Sequence, residues 1–293
     1  MKMKEEIGFW LVTTDHLEND LWFREEEDFK VGMNYVAAVA AGSPVIILVF
    51  ILMSNHVHFF LLGTRKEVIR FITELKRRYA NYVWIKYGDP KLLKNNSVDI
   101  RHIPFEDEAA ERAIAYVQMN CVAAGICLYP SQYPWGTGDL FFNPTPTKGF
   151  RVDSLSKRKR FQILHSKTDI PGNWLIGEDG YILPSCYVKI DYVEKLFRNP
   201  KRMYYFLRTS SKARVRLESG AESQVSFKDQ TLLSVLPELC HRLFGEPSFK
   251  KLSETQKKEI LRQLRFRFSS NIHQLARITG LSYDAAARLM DSE

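Results

Sequence analysis

The sequence is short of cysteine, and its four cysteines (Cys121, Cys127, Cys186 and Cys240) form no Cys-x-x-Cys spacing. A disulfide framework is therefore not expected, and a reducing cytoplasm is the expected setting. Long hydrophobic runs are also missing. The longest, VIILVFILM at 45–53, is about half a membrane span, so no membrane partner is expected. No basic start leads into an apolar stretch with a cleavage site, so no signal peptide is expected. There is no internal repeat, no low-complexity tract and no glycine-rich P-loop.

What is present is positive charge. The 293 residues carry a formal net charge of +8, which calls for a polyanionic partner, either nucleic acid or an anionic surface. The charge is uneven. Residues 148–216 hold about 16 Lys or Arg against about 6 Asp or Glu, more than the excess of the whole chain. They include SKRKRF (156–161) and RNPKRMYYFLRTSSKARVRL (198–217).

The first 140 residues alternate strand and helix signals. GFWLVTT (8–14) reads as a strand, and residues 25–42 read as a helix with acids at its start and a terminal glycine. Two β-branched and aromatic runs, SPVIILVFIL and HVHFFLLG, are joined by Met-Ser-Asn as a hairpin. A helix over 65–88, a weak strand over 97–104 and a helix over 105–125 follow. The order β-α-β-β-α-β predicts an α+β fold built on a ferredoxin-like antiparallel sheet. Glycine and proline punctuation over 133–150 places a boundary near residue 145. The expected organisation is a first domain over 1–145, a basic middle segment and linker over 146–222, and a helical region over 223–293. Within that last region, 269–290 reads as helix, turn at Thr279-Gly280-Leu281, and a second helix opening at Ser282. Residues 253–268 form a supporting helix capped by Ser253. That is the spacing of a helix-turn-helix, with Ser282, Tyr283 and Arg288 as candidate DNA contacts.

The hydrophobic strand MSNHVHFFLLG (53–63) carries two histidines. Strand side chains alternate faces, so His56 and His58 point the same way, about 7 Å apart along the chain. Two imidazoles on one face suit a cation, although hydrogen-bonded strand histidines are the ordinary alternative. A third donor must come from elsewhere. In AIAYVQMNCVAAG (113–125), Tyr116 and Asn120 stand one helical turn apart. A phenol can act as a nucleophile and an amide oxygen can ligate a hard cation, but the pair alone is an everyday helix pattern.

Taken in order, LMSNHVHFFL, then YVQMNCVAAGICLYPSQYPWGTG about 60 residues later, resemble the HUH single-tyrosine transposases, and within them the REP-associated tyrosine transposase branch. The start, FWLVTTDHLENDLWFREEEDF, fits the family's first strand, loop and helix start. The likeness spans roughly residues 8 to 140. It implies metal-dependent cleavage and joining of single-stranded DNA that contains a hairpin or palindromic repeat. His56 and His58 would bind a divalent metal, Mg²⁺ or Mn²⁺, with Asn120 at the position of the third ligand. Tyr116 would attack the scissile phosphate and become a 5′-phosphotyrosine. The resemblance leaves room for a homodimer. Two features depart from the family: its Asn-Pro-Val is Asn120-Cys121-Val122 here, and the Arg that follows is Ala123.

Other residues compete for these roles. Tyr79 and Tyr82 lie on a basic helix and are alternative nucleophiles, or else stack on bases or line the core. Lys76, Arg77, Arg78 and Tyr79 are candidate DNA contacts, as are Lys157, Arg158, Lys159 and Arg160. His16 and His102 could flank the site but read first as structural or surface residues, and Trp135 as a packing anchor. Two further functions compete with transposition: a catalytically weak DNA-binding regulator of the same family, and a metal-dependent phosphodiesterase that uses water. A chain ending near residue 145 is expected to retain cleavage.

Overall fold

The computed structural model describes residues 6–17, 20–106, 108–143, 148–210, 229–268, 270 and 272–291. The first half follows the expected order: β1 (Ile7–Thr14), α1 (Glu26–Ala41), β2 (Ile46–Met53), β3 (His56–Thr64), α2 (Arg65–Tyr87), β4 (Val98–Ile103) and α3 (Ala109–Gln118). The four strands form one antiparallel sheet ordered β2-β3-β1-β4, the arrangement of the split βαβ pattern. It is an α+β fold, as expected.

Local chemistry sets the element ends. Thr64 caps α2 by accepting from the Glu67 amide at 3.3 Å, while the Glu67 carboxylate accepts from the Thr64 amide at 2.9 Å. That reciprocal pair satisfies amides the first helical turn leaves open. Gly88, at φ +71°, ends the helix in the left-handed region that glycine adopts without strain. The helix expected over 105–125 is interrupted at Met119 and resumes as a short turn, α4 (Asn120–Ala123). The Asn120 amide donates to the carbonyls of Tyr116 and Val117 at 2.9 and 3.1 Å, and such local bonds compete with the helical ladder.

Register decides what shares a face. Thr13 pairs with His58 on one side and with Asp99 on the other, and Leu11 pairs with Phe60 and Arg101. Directly opposed residues point the same way, so one face carries the row His58, Thr13, Asp99 and, beside it, Phe60, Leu11, Arg101. The other face carries Phe59, whose ring meets Phe71 of α2 edge-on at 5.5 Å. Helices α1 and α2 therefore cover one face, and α3 covers the histidine face.

The middle segment departs from expectation. The boundary near 145 falls among residues outside those described, as does the linker over 218–224, but the two sides do not have separate cores. Helices α5 (Lys157–Leu164), α6 (Ile190–Phe197) and α7 (Pro200–Thr209) follow. Val188, Val193, Phe197, Met203 and Phe206 join the sheet's own core. Val152, Leu164, Ile170, Ile176 and Ile182 pack on Ala37 and Ala38 of α1. The buried Asn34 amide donates to Ile163 and Gly180 carbonyls and accepts from the Ile182 amide, so the polar group that α1 buries is satisfied only by the middle segment. The Lys189 amide donates to Ile47 and the Thr137 amide to Phe50, closing the edge of β2. Apolar patches such as WLIGEDGYILPSCYV (174–188) point to folding in part of this segment, but exposed cations such as Lys157, Arg158 and Lys159 dominate its composition and hide that its core is shared with the sheet.

The C-terminal helices Asp229–Phe244, Glu254–Phe268, Ile272–Thr279 and Tyr283–Asp291 surround a second core that includes Leu236, Leu239, Ile260, Leu261, Leu264 and Leu275. Leu21 from the first half lies in that core too. Arg265 donates to the Gly125 carbonyl at 2.8 and 3.1 Å, and Arg242 pairs with Glu25 at 2.7 Å. The last two helices are joined through Gly280 at φ +72°, and the Ser282 hydroxyl accepts from the Ala285 amide at 3.2 Å as the expected cap.

Candidate active site

The histidine face brings His56, His58 and Tyr116 together. The His56 and His58 rings are edge-to-face with centroids 4.7 Å apart, and both residues are buried. Tyr116, on α3, meets His58 edge-on at 5.7 Å. Asn120 follows one turn later and is buried.

Neighbouring side chains hold each ring. Asn55 Oδ1 lies 2.7 Å from His56 Nδ1. A carbonyl oxygen accepts, so His56 carries its proton on Nδ1 and presents Nε2 as the basic nitrogen. Thr13 Oγ1 lies 2.9 Å from His58 Nδ1. Asn120 commits its amide nitrogen to the backbone of α3, leaving the oxygen as the donor atom it can offer a cation. Two imidazoles and one amide oxygen are donor types that suit a divalent metal. Among the described residues, no group of three or more His, Cys, Asp or Glu could hold a metal ion.

The electrostatics of Tyr116 are mixed. Burial pushes its phenol above the ordinary value, Arg101 pulls it down, and Asp99 pushes it up. Arg101 and Asp99, both on β4, are themselves paired at 3.2 Å. A phenol in this state is a poor nucleophile at neutral pH.

Thr13, Asp99 and Arg101 were missed in the sequence, and His16 was given a flanking place only as the second choice. His16 stacks face-to-face on His56, with centroids 3.7 Å apart and planes 16° from parallel. It lies at the surface, as read, yet against the site. Thr13, Asp99 and Arg101 enter only through strand register. Asn55 was visible within MSNHVH, immediately before His56. His102 belongs to the opposite face, edge-on to Trp10 at 5.1 Å.

The basic helix α2 corrects the proposed DNA contacts there. Tyr79 is only 1% exposed and donates its hydroxyl to the Trp22 carbonyl, so it cannot meet a base or a phosphate. Tyr82 is buried and donates to Asp28 at 2.8 Å, which removes it as a nucleophile. Lys76 donates to the Asn96 carbonyl, and burial lowers its pKa against the opposing pull of Asp15. Arg78 reaches Glu74, Ser166 and Thr168 and so clasps the middle segment. Arg77 is exposed and paired with Glu74 at 2.8 Å. Lys157, Arg158 and Lys159 are exposed on α5, whereas Arg160 turns inward to the Leu155 carbonyl at 2.9 Å. Ser282, Tyr283 and Arg288 are exposed on the C-terminal helices. Trp135 is a packing anchor, stacked on Phe29 at 5.0 Å. At the family's proline position, Cys121 Sγ donates to the Gln118 carbonyl at 3.3 Å.

One solved structure resembles the chain, that of a REP-associated tyrosine transposase bound to a REP hairpin. The likeness covers 44% of this chain and 76% of the other, at 15% identity and a TM-score of 0.37. It is distant. No family model matches the chain, and no curated protein matches it. No helix among the described residues is long and apolar enough to cross a membrane.

Proposed function

We propose that the protein is a metal-dependent single-strand DNA endonuclease and strand transferase that works through Tyr116. The observation that carries this reading is the meeting of a phenol and two buried, oriented imidazoles on one sheet face, with His58 and Tyr116 5.7 Å apart. The DNA hairpin named with the distant structural neighbour agrees with the substrate class that the sequence motifs imply.

In this reading, the Tyr116 oxygen attacks phosphorus and the bond from phosphorus to the 3′ oxygen breaks. The phenol loses one proton and the leaving 3′ oxygen gains one, so the step is proton-neutral. The product ester keeps the phosphodiester oxidation state and bond type, so a second 3′-hydroxyl can reverse it without a nucleotide cofactor. His56, His58 and Asn120 would hold Mg²⁺ or Mn²⁺, which would offset the charge on the phosphate and the leaving oxygen. Asn55 and Thr13 hold the imidazoles in place, and Arg101 favours the phenolate. The C-terminal helix pair, through Tyr283 and Arg288, and the exposed cations of α5 would add affinity for DNA.

The test is incubation of the full chain with hairpin-containing single-stranded DNA and Mn²⁺, followed by denaturing electrophoresis. A protein–DNA species that survives denaturation and disappears in Tyr116→Phe is expected. Cleavage with no such species would mean that water is the nucleophile, and binding without cleavage would make the chain a regulator.

A further inference from the structure

Helix α7 presents a stripe that none of the chemistry above uses. Lys201, Tyr204, Tyr205 and Arg208 stand at i, i+3, i+4 and i+7 and are all exposed, Tyr204 by 53% and Tyr205 by 61%. That spacing puts them on one side of the helix. The opposite side is spent: Met203 and Phe206 lie in the main core. Arg202 donates to Glu108 at 2.7 Å and to Glu111 at 3.2 Å, fastening α7 to the first turn of α3. The orientation of the stripe is therefore fixed by packing.

Two large aromatic rings left in water cost the folded state burial it could have had. A cation stands at each end of the pair. Arg208 lies over the Tyr204 ring at 5.7 Å, and Lys201 and Arg208 make no ion pair with any described residue. The helix PKRMYYFLRT contains no acid. The position matters as well. Glu111, one of the carboxylates that hold Arg202, precedes Tyr116 on the same helix by about 7.5 Å of axial rise.

We infer that the outer face of α7 is a binding platform for single-stranded nucleic acid, with consecutive unpaired bases stacking on Tyr204 and Tyr205 and the flanking phosphates on Lys201 and Arg208. Alternating rings and cations match alternating bases and phosphates. A duplex buries its base faces and offers the tyrosines nothing to stack on. An apolar protein partner would leave the bracketing cations unpaired. The inference deepens the proposed function and rests on it for the polymer being DNA; a strand held here runs beside the helix that carries Tyr116.

The test measures binding of a fluorescein-labelled oligothymidylate to the full chain by anisotropy across a salt series. Tyr204→Ala with Tyr205→Ala should weaken binding by roughly a hundredfold, about tenfold per ring. The paired Phe substitutions should stay within about threefold of wild type, because a phenyl ring stacks without the hydroxyl. Lys201→Gln with Arg208→Gln should flatten the slope of log K against log salt by about 1.4, which is about 0.7 per phosphate on a single strand. All four side chains are exposed, so the thermal midpoint should not move. Wild-type affinity and slope in the Ala and Gln variants would overturn the inference, as would equal losses in the Phe and Ala pairs. So would unchanged DNA affinity with a loss of self-association or vesicle binding. Covalent adduct formation in the same variants separates the two readings. Adducts with unchanged affinity would sink the platform alone, whereas a wild-type chain that binds no DNA would sink the proposed function with it.

Discussion

His58 and Tyr116 meet edge-to-face, with ring centroids 5.7 Å apart and planes at 89°, although one comes from a strand and the other from a helix 58 positions later in the chain. Tyr79 and Tyr82, the alternative nucleophiles, are both committed to core hydrogen bonds. Tyr116→Phe should therefore abolish the covalent DNA species, by about 10³-fold or more, while hairpin affinity stays within about threefold because one hydroxyl is lost and no charge. Denaturing gels and anisotropy on the same samples check both. A covalent species that persisted in the Phe variant would remove Tyr116 from the mechanism.

Asn55 positions His56 without being a ligand candidate itself. Its side-chain oxygen at 2.7 Å from Nδ1 selects the tautomer whose Nε2 can bind a cation. Asn55→Ala should weaken Mn²⁺ binding by about 10- to 100-fold, and His56→Ala or His58→Ala should weaken it further. His16→Ala should also lower Mn²⁺ affinity, by less, because it uncovers the face of His56 that His16 stacks on. His102→Ala, on the other side of the sheet, should leave it unchanged. Calorimetric titration reads all five. Equal effects of His16→Ala and His102→Ala would show that the stacking has no bearing on the site.

The motif residues were legible because each signal is local. Period-two alternation put His56 and His58 on one face, and the helical repeat put Tyr116 one turn before Asn120. Only long-range register could add the rest. Thr13 and Asp99 become neighbours of His58 through strand pairing across the sheet, and no composition or period signals that. The sheet order was legible for the same local reason: the β-α-β-β-α-β order with short connections leaves few arrangements. That the middle segment folds in part was legible in its apolar patches, but not that it shares the sheet's core. Val193 and Phe197 lie on α6, and Met203 and Phe206 on α7. Their partners are in the first half of the chain, out of reach of any sequence window.

That packing revises what a shortened protein can do. A chain cut at 145 loses Val188, Val193, Phe197, Met203 and Phe206 from the main core. At about 2 kcal/mol for each buried side chain, the loss is roughly 10 kcal/mol, comparable to the whole stability of a typical domain. It also strands the buried Asn34 amide. Such a chain should not give a cooperative thermal transition by circular dichroism, and should not cleave DNA. A chain cut at 210 keeps these contacts and should unfold cooperatively, at a lower temperature than the full protein because Leu21, Gly125 and Glu25 lose their C-terminal partners. Cooperative unfolding of the 145-residue chain would return the middle segment to the status of a separate unit.

The last expectation concerns acid. Glu74 accepts from Arg77, at 2.8 Å from both Nε and Nη2, and from Arg78 at 2.7 Å. Hydrogen bonding to Arg77 lowers its carboxyl pKa, burial opposes, and Arg78 adds to the lowering, so the group is held down to about 2. A carboxyl whose folded value lies below its unfolded value stabilises the protein above the unfolded value of about 4.3, and that contribution fades as pH falls toward the folded one. Between these limits Glu74 should steepen the acid loss of stability. Glu74→Gln should flatten the urea midpoint against pH over that window and leave the slope near neutrality unchanged. The Arg78 guanidinium also reaches Ser166 and Thr168 at 2.9 and 2.7 Å. The same substitution therefore frees the clasp between α2 and the middle segment, and amide exchange at 166–168 should rise with it. A flattened pH profile with unchanged exchange would mean that Arg78 holds its contacts without Glu74. An unchanged pH profile would mean that solvent screens the exposed half of the pair and that its contribution is too small to register.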